Sequence, residues 1–309
     1  MDVPVSARPR SYVNEESQGG SYLVNCILNL EKIEENIYRA HHSWKSSNLQ
    51  RVYGGQVVGQ AQVAAGNTVD SNLSVHSLHC YFLRAGDRNK PIVYKVENLR
   101  DGQSYATRLV QAVQNGKSIF TMIISFHRQE VSHFQHQCQM PDVPLPSNLL
   151  SDEQLLHKLE ATPGVPQAVK DRVRSHFENA ITMEYRRVDP VSLVKPTDKT
   201  SKIVLWVRAI GDIGDDMNMH RCVAAYMSDN YLATTCVYAS NIKIKVGMLT
   251  SLDHTIWFHA PFRADDWLLF DFDSHWSGNG RGMATGKIWT EDGRLVMTVS
   301  QEVVLRHKL

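Results

Sequence analysis

The stretch SLDHTIWFHAPFRADD, residues 251–266, repeats the pattern of an earlier stretch, SLHCYFLRAGDRN, residues 77–89. Further along, EDG at 291–293 takes the place of QNG at 114–116. The copies lie about 175 residues apart, and self-similarity over such a distance indicates a duplicated structural unit. The repeat therefore predicts two pseudo-equivalent domains packed together.

Length and composition agree with this prediction. The chain has 309 residues, 42% of them hydrophobic and 21% charged, which is typical of a soluble globular protein with ample core. A formal net charge of +1 favours neither nucleic acid nor an anionic membrane as a partner. No apolar run approaches the roughly 20 residues of a membrane helix, so we expect no membrane insertion. The five cysteines are widely spaced and form no CxxC, which predicts free thiols in a reducing compartment.

Each copy is predicted to combine one helix of small residues with antiparallel strands. In the first copy, Val57, Val58 and Ala61 recur at helical spacing after a glycine loop at 54–55. The second copy has a similar helix within HRCVAAYMSDNYLATTCVY, residues 220–238. The NGK turn at 115–117 indicates a hairpin. Strands are predicted at 21–30, 73–83, 91–100, 105–114 and 117–126, then at 202–210, 251–259, 266–275, 281–290 and 294–306.

Domain boundaries follow from shifts in composition. We expect a flexible polar tail at 1–20, a first domain at 21–130, a proline-rich and helical linker at 131–185, and a second domain at 186–306. The first residues contain no apolar core of a secretory signal. The last three residues, His307-Lys308-Leu309, are similar to a C-terminal Ser-Lys-Leu, which an import receptor reads as a peroxisomal address. Three residues alone favour an ordinary basic tail, and the signal gains weight only if the function suits a peroxisome.

Three polar residues of the second copy stand where apolar residues would be easier to bury. Asp229 lies in AYMSDNYL, Ser251 is predicted to begin a strand, and Gln301 lies on the Val299–Val303 face of the last strand. A buried acid or amide needs hydrogen-bond partners, so the three could together hold one water. Plainer explanations stay open: a turn acid, an ordinary strand-start serine and a cross-sheet amide pair.

Other candidate constellations are weaker. GDIGDD at 211–216 does not fit a phosphate loop, because no helix pattern is seen at its end. The histidines on strands have no metal-like spacing, so we expect no metal site. Ser251, Asp253 and His254 cannot form a nucleophile triad on one face if the strand alternates regularly. Three arginines near turns could meet phosphates, although solvated arginine is commoner: Arg84, Arg263 and Arg281.

Longer motifs resemble the TesB-type acyl-CoA thioesterases over residues 21–306. They are GGQVVGQA, HSLHCYFLRAGD, AAYMSD, SLDHTIWFHAPFRADDWLL, GRG at 280–282, DGRL and SQEVVLR. The resemblance implies an α+β double hotdog, with two antiparallel sheets each wrapped around a central helix and joined by a helical linker. It also implies a further pairing into a homodimer or higher oligomer.

The resemblance assigns the chemistry to Asp229, Ser251 and Gln301. It implies hydrolysis of fatty acyl-CoA by an activated water, without a cofactor, since coenzyme A belongs to the substrate. We expect backbone N–H groups at Gly55 and Gln56 to face the carbonyl oxygen, and a peroxisomal location through the C-terminal tail, or otherwise a cytoplasmic one. The alternatives are an enoyl-CoA hydratase or dehydratase of the same fold, and an acyl-CoA-binding protein without turnover.

Overall fold

A computed structural model of the chain describes residues 20–41, 51–179, 182–189, 201–239 and 246–308. The tail predicted at 1–20 lies outside the described residues except for Gly20, and so does Leu309 of the C-terminal tail. His307 and Lys308 are exposed at the end of the last strand. None of the helices in these ranges is long and apolar enough to cross a membrane.

The first half contains a central helix and a meander of long strands, as the periodicity predicts. The predicted strand at 21–30 is wrong, because Leu23–Ile27 forms a π-helical turn with Leu23 and Ile27 buried. A short apolar run fits a strand or a buried helical turn equally well, so periodicity does not separate them. Gly54 and Gly55, predicted as a loop, are already helical. The elements are β1 Glu31–Glu34, β2 Ile37–Ala40, α1 Gly54–Gly66, β3 Leu73–Phe82, β4 Ile92–Asp101, β5 Tyr105–Gln114 and β6 Lys117–Arg128.

The linker is helical, as predicted, and it also covers part of the second half. Its two helices, α2 Asp152–Ala161 and α3 Gln167–Asn179, pack on each other through a small apolar cluster. Ahead of them, the proline-rich segment runs over Trp206 and Trp289, whose side chains are fully buried beneath Met140, Val143 and Leu149. The indole N–H of Trp206 donates to the carbonyl of Pro144 at 3.0 Å.

The second half differs from its predicted outline at two places. The small-residue helix is split into α4 Met217–Ser228 and α5 Leu232–Ala239, and α4 begins directly after GDIGDD with Asp216 as its N-cap. The expectation that no helix starts there is therefore wrong. The strand predicted at 251–259 is the second of two short strands. The remaining elements are β7 Met183–Arg187, β8 Lys202–Ala209, β9 Val246–Ser251, β10 Asp253–Phe258, β11 Leu268–Gly278, β12 Arg281–Thr290 and β13 Leu295–His307.

The two antiparallel sheets join edge to edge into one sheet. Its strand order is β1-β2-β4-β5-β6-β3-β10-β13-β12-β11-β8-β7, with β9 paired to β13. On either side of the β3–β10 seam the order is the same, since β4, β5, β6 and β3 correspond to β11, β12, β13 and β10. The seam pairs His79 with Thr255 and Cys80 with His254. The duplicated sequence thus folds as two copies related by a pseudo-two-fold axis at the seam.

Inside this curved sheet, the central helices pack against each other. Helix α1 contacts the first-half strands and α4, whereas α5 packs on β11 and β12. The approach of α1 to α4 is close enough to require glycine. A Cβ on Gly55 would lie 2.3 Å from the carbonyl oxygen of Tyr226, and one on Gly59 would lie 2.9 Å from Leu28.

We expect Gly55→Ala to destabilise the protein by about 1–3 kcal/mol, because the new methyl group meets backbone that cannot yield without separating the helices. Urea unfolding measures the change. Gly66→Ala on the same helix is the matched control, since nothing lies within 4 Å of its Cβ position. It should leave stability unchanged or slightly raise it through helix propensity. Equal stability of the two variants would contradict the close helix contact.

Candidate active site

Asp229 terminates helix α4 at the centre of the molecule. It is the C-cap residue, with φ −75° and ψ −16°. Two residues later, Tyr231 adopts the left-handed conformation with φ +68°, and α5 starts at Leu232. The helix-end position that the sequence left open for Asp229 is therefore the one it occupies. Its side chain reaches helix α1 of the other half.

The Asp229 carboxylate serves as the N-terminal cap of α1. Its Oδ2 accepts a hydrogen bond from the Gly55 N–H at 2.8 Å. Tyr53, the N-cap residue of α1, supplies no capping side chain of its own. A Cβ on Gly54 would lie 2.7 Å from Oδ2, so glycine is needed for the carboxylate to reach the helix end. The positive end of the α1 dipole stabilises the ionised acid, which the C-terminus of its own helix disfavours.

Gln301 connects Asp229 to Ser251. Its side-chain Nε2 donates to Asp229 Oδ1 at 2.7 Å and to Ser251 Oγ at 2.9 Å. Gln301 is fully buried on β13, while Asp229 and Ser251 are half-buried. The structure therefore brings together the three residues singled out in the sequence. Because both amide protons are used, the Gln301 side chain fixes the distance between the Asp229 carboxylate and the Ser251 hydroxyl.

A β-bulge at Leu252 lets the strand aim several polar groups at this region. Ser251 ends β9 and does not begin a strand as predicted. Its backbone pairs with Val303, whereas Thr255 pairs with Ser300, so four steps along β9 and β10 match three along β13. The extra residue shifts the alternation. Asp253 turns to the backbone of β13, where its Oδ1 accepts from the Glu302 N–H at 2.7 Å.

Owing to the bulge, His254 faces the helices, which regular alternation from Ser251 would not give. Its Nε2 lies 2.9 Å from Ser228 Oγ, and Ser228 Oγ donates to the Ala225 carbonyl at 3.0 Å. Burial lowers the pKa of His254 below its ordinary value. The negative charge of nearby Asp229 acts in the opposite direction but is the smaller effect. The ring is therefore neutral at neutral pH. The ring holds Ser228, the residue before Asp229, and has no described hydrogen bond to a carboxylate.

None of the three candidate phosphate-binding arginines shares a described hydrogen bond with Asp229, Ser251 or Gln301. Arg84 is exposed just beyond β3 and donates to the Ser118 carbonyl at 2.6 Å. Arg281 pairs with Glu302 at 2.7 Å and lies over the Trp276 ring. Arg263 lies at the N-terminal end of α4, about 18 Å along that helix from Asp229. It contacts the side chains of three acids, Asp212, Asp215 and Asp265.

A cavity of about 420 Å³ adjoins Arg263 on the second half. Its charged lining comprises Arg208, Arg263 and four acids: Glu184, Asp212, Asp265 and Asp266. The acids outnumber the arginines, which disfavours a phosphate there. Among the described residues, no group of three or more His, Cys, Asp and Glu side chains could hold a metal ion.

Sequence reasoning missed Tyr53, which helps to place the acid. Its hydroxyl donates to the Tyr226 carbonyl at 2.9 Å, and the two rings meet edge to face at 5.0 Å. This contact joins the start of α1 to the last turn of α4. The signal was an aromatic residue directly before the Gly-Gly pair, but nothing local says that its partner lies 173 residues away.

The arrangement suits a reaction with one water. A carboxylate with two fixed donors can accept a proton while keeping its orientation. Among the described contacts of Ser251, its oxygen only accepts, so its own O–H is available to a neighbouring water or substrate. Among the described residues, no histidine bonds to Ser251 to activate it as a nucleophile, because His254 bonds to Ser228.

Comparisons with known proteins find matches for both halves of the chain. Two family models match, the acyl-CoA thioesterase N-terminal domain at residues 40–127 and the acyl-CoA thioesterase C-terminal domain at residues 156–305. Each model therefore falls on one half of the duplicated fold.

Full-length relatives cover most of the chain. Acyl-coenzyme A thioesterase 8 of Mus musculus is 43% identical over 93% of this chain and 90% of its own length. Acyl-CoA thioesterase 2 of Haemophilus influenzae is 32% identical over 91% of this chain and 96% of its own. The peroxisomal acyl-coenzyme A thioester hydrolase 1 of Saccharomyces cerevisiae is 28% identical, with 89% and 94% covered.

Solved structures share the architecture. The acyl-CoA thioesterase II TesB2 of Mycobacterium marinum superposes with a TM-score of 0.74 at 37% identity, covering 92% of this chain and 98% of that one. A hot dog fold protein from Alicyclobacillus acidocaldarius gives a TM-score of 0.73 at 16% identity, covering 94% and 100%, which supports the fold alone. The fold is thus the predicted double hotdog. With both halves matched and relatives of this identity along nearly its whole length, the chain belongs to the acyl-CoA thioesterase family.

Proposed function

We propose that this chain hydrolyses fatty acyl-CoA thioesters to a free fatty acid and coenzyme A, using a water that Asp229 activates directly. The observation that carries the proposal is the amide of Gln301, which donates to both Asp229 and Ser251. Membership of the acyl-CoA thioesterase family supports the substrate class and the reaction. The geometry supports an acid that works on water in place of a covalent nucleophile.

In this mechanism the water oxygen attacks the thioester carbonyl carbon while one of its protons passes to Asp229. Ser251 fixes the position of the water, and Gln301 holds Ser251 and Asp229 in place around it, so that the reacting atoms meet in line. Collapse of the tetrahedral intermediate breaks the C–S bond. The leaving thiolate of coenzyme A then takes the proton from Asp229, which returns to its carboxylate form.

Negative charge on the carbonyl oxygen needs aimed N–H donors. The sequence suggested Gly55 and Gln56. The N–H of Gly55 already donates to Asp229, so it does not serve the carbonyl oxygen while that bond is kept. The N-terminal end of α1 still supplies positive potential there, and Gln56 stays the other candidate donor that the sequence suggested.

The alternatives suit the geometry less well. A hydratase or dehydratase needs an acid paired with a histidine to move protons at two carbons. His254 bonds to Ser228, and His259 bonds to Thr298 at 3.0 Å, so neither bonds to a carboxylate. A protein that only binds acyl-CoA would gain nothing from holding an acid, an amide and a hydroxyl in contact at the end of a helix.

We expect Asp229→Asn to lower kcat by about 10²–10⁴-fold, the usual value of a general base. The asparagine can still accept from Gln301 but cannot take a proton. Thiol release from acyl-CoAs of several chain lengths measures the effect. Asp70→Asn, the same change at an exposed turn acid, is the control. Turnover at the wild-type level in the Asp229 variant would remove Asp229 from the mechanism, and no thiol release by the wild type would favour the binding protein.

Ser251→Ala should lower kcat by about 10-fold, equal to about 1.4 kcal/mol, because one hydrogen bond that orients the water is lost. Ser251→Thr keeps the hydroxyl and should retain most of the activity. Steady-state kinetics on one acyl-CoA compares the two variants. If both lose activity equally, the effect is steric and the hydroxyl has no role.

We also propose that the chain works in the peroxisome. His307 and Lys308 are exposed and therefore accessible to an import receptor, and one relative is named as peroxisomal. An N-terminal fluorescent fusion of the whole chain should co-localise with peroxisomes, and deletion of Leu309 should return it to the cytosol. The same distribution for both fusions would show that the tail is not the address.

A further inference from the structure

The left-handed turn after Asp229 is held by residues from outside the proposed active site. A tyrosine in this conformation costs about 1–2 kcal/mol, because its Cβ crowds the following carbonyl. Strain of this kind persists only where the surroundings fix it, and it is concentrated at functional sites. If Tyr231 returned to a right-handed conformation, α4 would continue past Asp229, and the segment that follows the carboxylate would no longer turn away into α5.

Strand β7 holds both residues that follow Asp229. Arg187 Nη2 donates to the Tyr231 hydroxyl at 2.6 Å, and its guanidinium lies 5.0 Å from the centre of that ring. The ring of Tyr185 meets Tyr231 edge to face at 5.6 Å. Asn230 Nδ2 donates to the hydroxyl of Tyr185 at 2.6 Å. The turn is therefore attached to β7 at two successive residues.

Arg187 is in turn held by the linker. Its Nε lies 3.6 Å from Oδ1 of Asp152, the first residue of α2, and the two side chains are only 10% and 9% exposed. Ser151 forms a capping box at the start of α2, and its backbone pairs with that of Arg186 in an isolated antiparallel β-bridge to β7. The start of α2 is thus docked on β7, directly behind Arg187.

We propose that Arg187 is a positioning residue for Asp229. It holds Tyr231 in the left-handed conformation, and Asp152 of the linker holds Arg187. A buried ion pair adds little stability compared with apolar side chains of the same volume. Its contribution here is therefore to fix the orientation of the Arg187 guanidinium toward Tyr231. This inference rests on the proposed function, because it assigns the linker a part in aligning the general base. Arg187 acts through Tyr231 and shares no described hydrogen bond with Asp229, Ser251 or Gln301.

The test compares Arg187→Met with Arg186→Met. Arg186 directly precedes Arg187 on β7, pairs with Glu184 at 2.8 Å and lies over Trp267. Its substitution therefore removes one positive charge at a place that does not contact the turn. We expect Arg187→Met to lower kcat by about 10- to 100-fold with KM within about two-fold, because only the alignment changes. Arg186→Met should keep both constants. An equal effect of the two variants, or a loss confined to KM, would overturn the proposal.

Arg187→Met takes the guanidinium away from the buried Asp152 carboxylate, so a fall in stability alone could lower activity. Asp152→Asn/Arg187→Met removes both charges and separates the two causes. This double variant should regain thermal stability and keep the low kcat. Recovery of kcat together with stability would show a purely structural role. Tyr231→Phe, which removes only the hydroxyl, should lower kcat in the same direction, and a wild-type kcat would contradict the link through that hydroxyl.

Hydrogen exchange gives a readout that does not depend on turnover. The Asn230 N–H bonds to the Met227 carbonyl at 3.2 Å, and the Thr234 N–H bonds to the Tyr231 carbonyl at 3.0 Å. Both amides should exchange faster in Arg187→Met, and their exchange rates should stay at the wild-type value in Arg186→Met. If the wild type releases no thiol from any acyl-CoA, the proposed function fails while this comparison still decides whether Arg187 holds the turn. Unchanged exchange in both variants would overturn the positioning role.

Discussion

The hydrogen bond from the Gly55 N–H to the Asp229 carboxylate is the contact on which the site depends. It joins the first half of the chain to the second and places a carboxylate at the end of a helix from the other copy. The charge is unfavourable at the C-terminus of α4 and favourable at the N-terminus of α1, so the antiparallel packing of the helices decides its stability. The Gly-Gly pair is required because any Cβ on Gly54 or Gly55 would fill the space that the carboxylate and the Tyr226 carbonyl occupy.

The pseudo-symmetry of the fold makes the asymmetry of the site informative. At the other end of the helix pair, Asp216 caps its own helix, accepting from the Asn218 N–H at 2.9 Å. Helix α1 ends at Asn67 without a second helix like α5. Duplication therefore supplied two equivalent helix ends, and only one acquired a left-handed break followed by another helix. The linker docks on that half, with α2 behind β7 and the proline-rich segment over Trp206.

The sheet contributes to the site through an irregularity. The bulge at Leu252 allows Ser251 to face Gln301 and His254 to face Ser228, which a regular strand would forbid. The seam between β3 and β10 lies beside this bulge, since the Phe82 N–H donates to the Leu252 carbonyl at 2.9 Å. Polar groups thus collect where two halves, two helices and an interrupted strand meet.

The sequence by itself determined the duplication, most of the strands, the small-residue helix of each half and the three polar residues of the site. Each of these depends on periodicity, on turn chemistry such as Asn115-Gly116, or on polar residues within apolar runs.

Tertiary structure decided the rest. The run at 21–30 became a helical turn because it packs beside α1 and α4, and β1, β2 and β7 are too short to show a period. Strict alternation gave the wrong face for His254, since one extra residue in a strand leaves no local signal. That Asp229 caps a helix 174 residues away, and that Tyr231 bonds to Arg187 of β7, depends on contacts between distant segments. Such contacts follow from how the two copies pack, and no pattern within either copy specifies them.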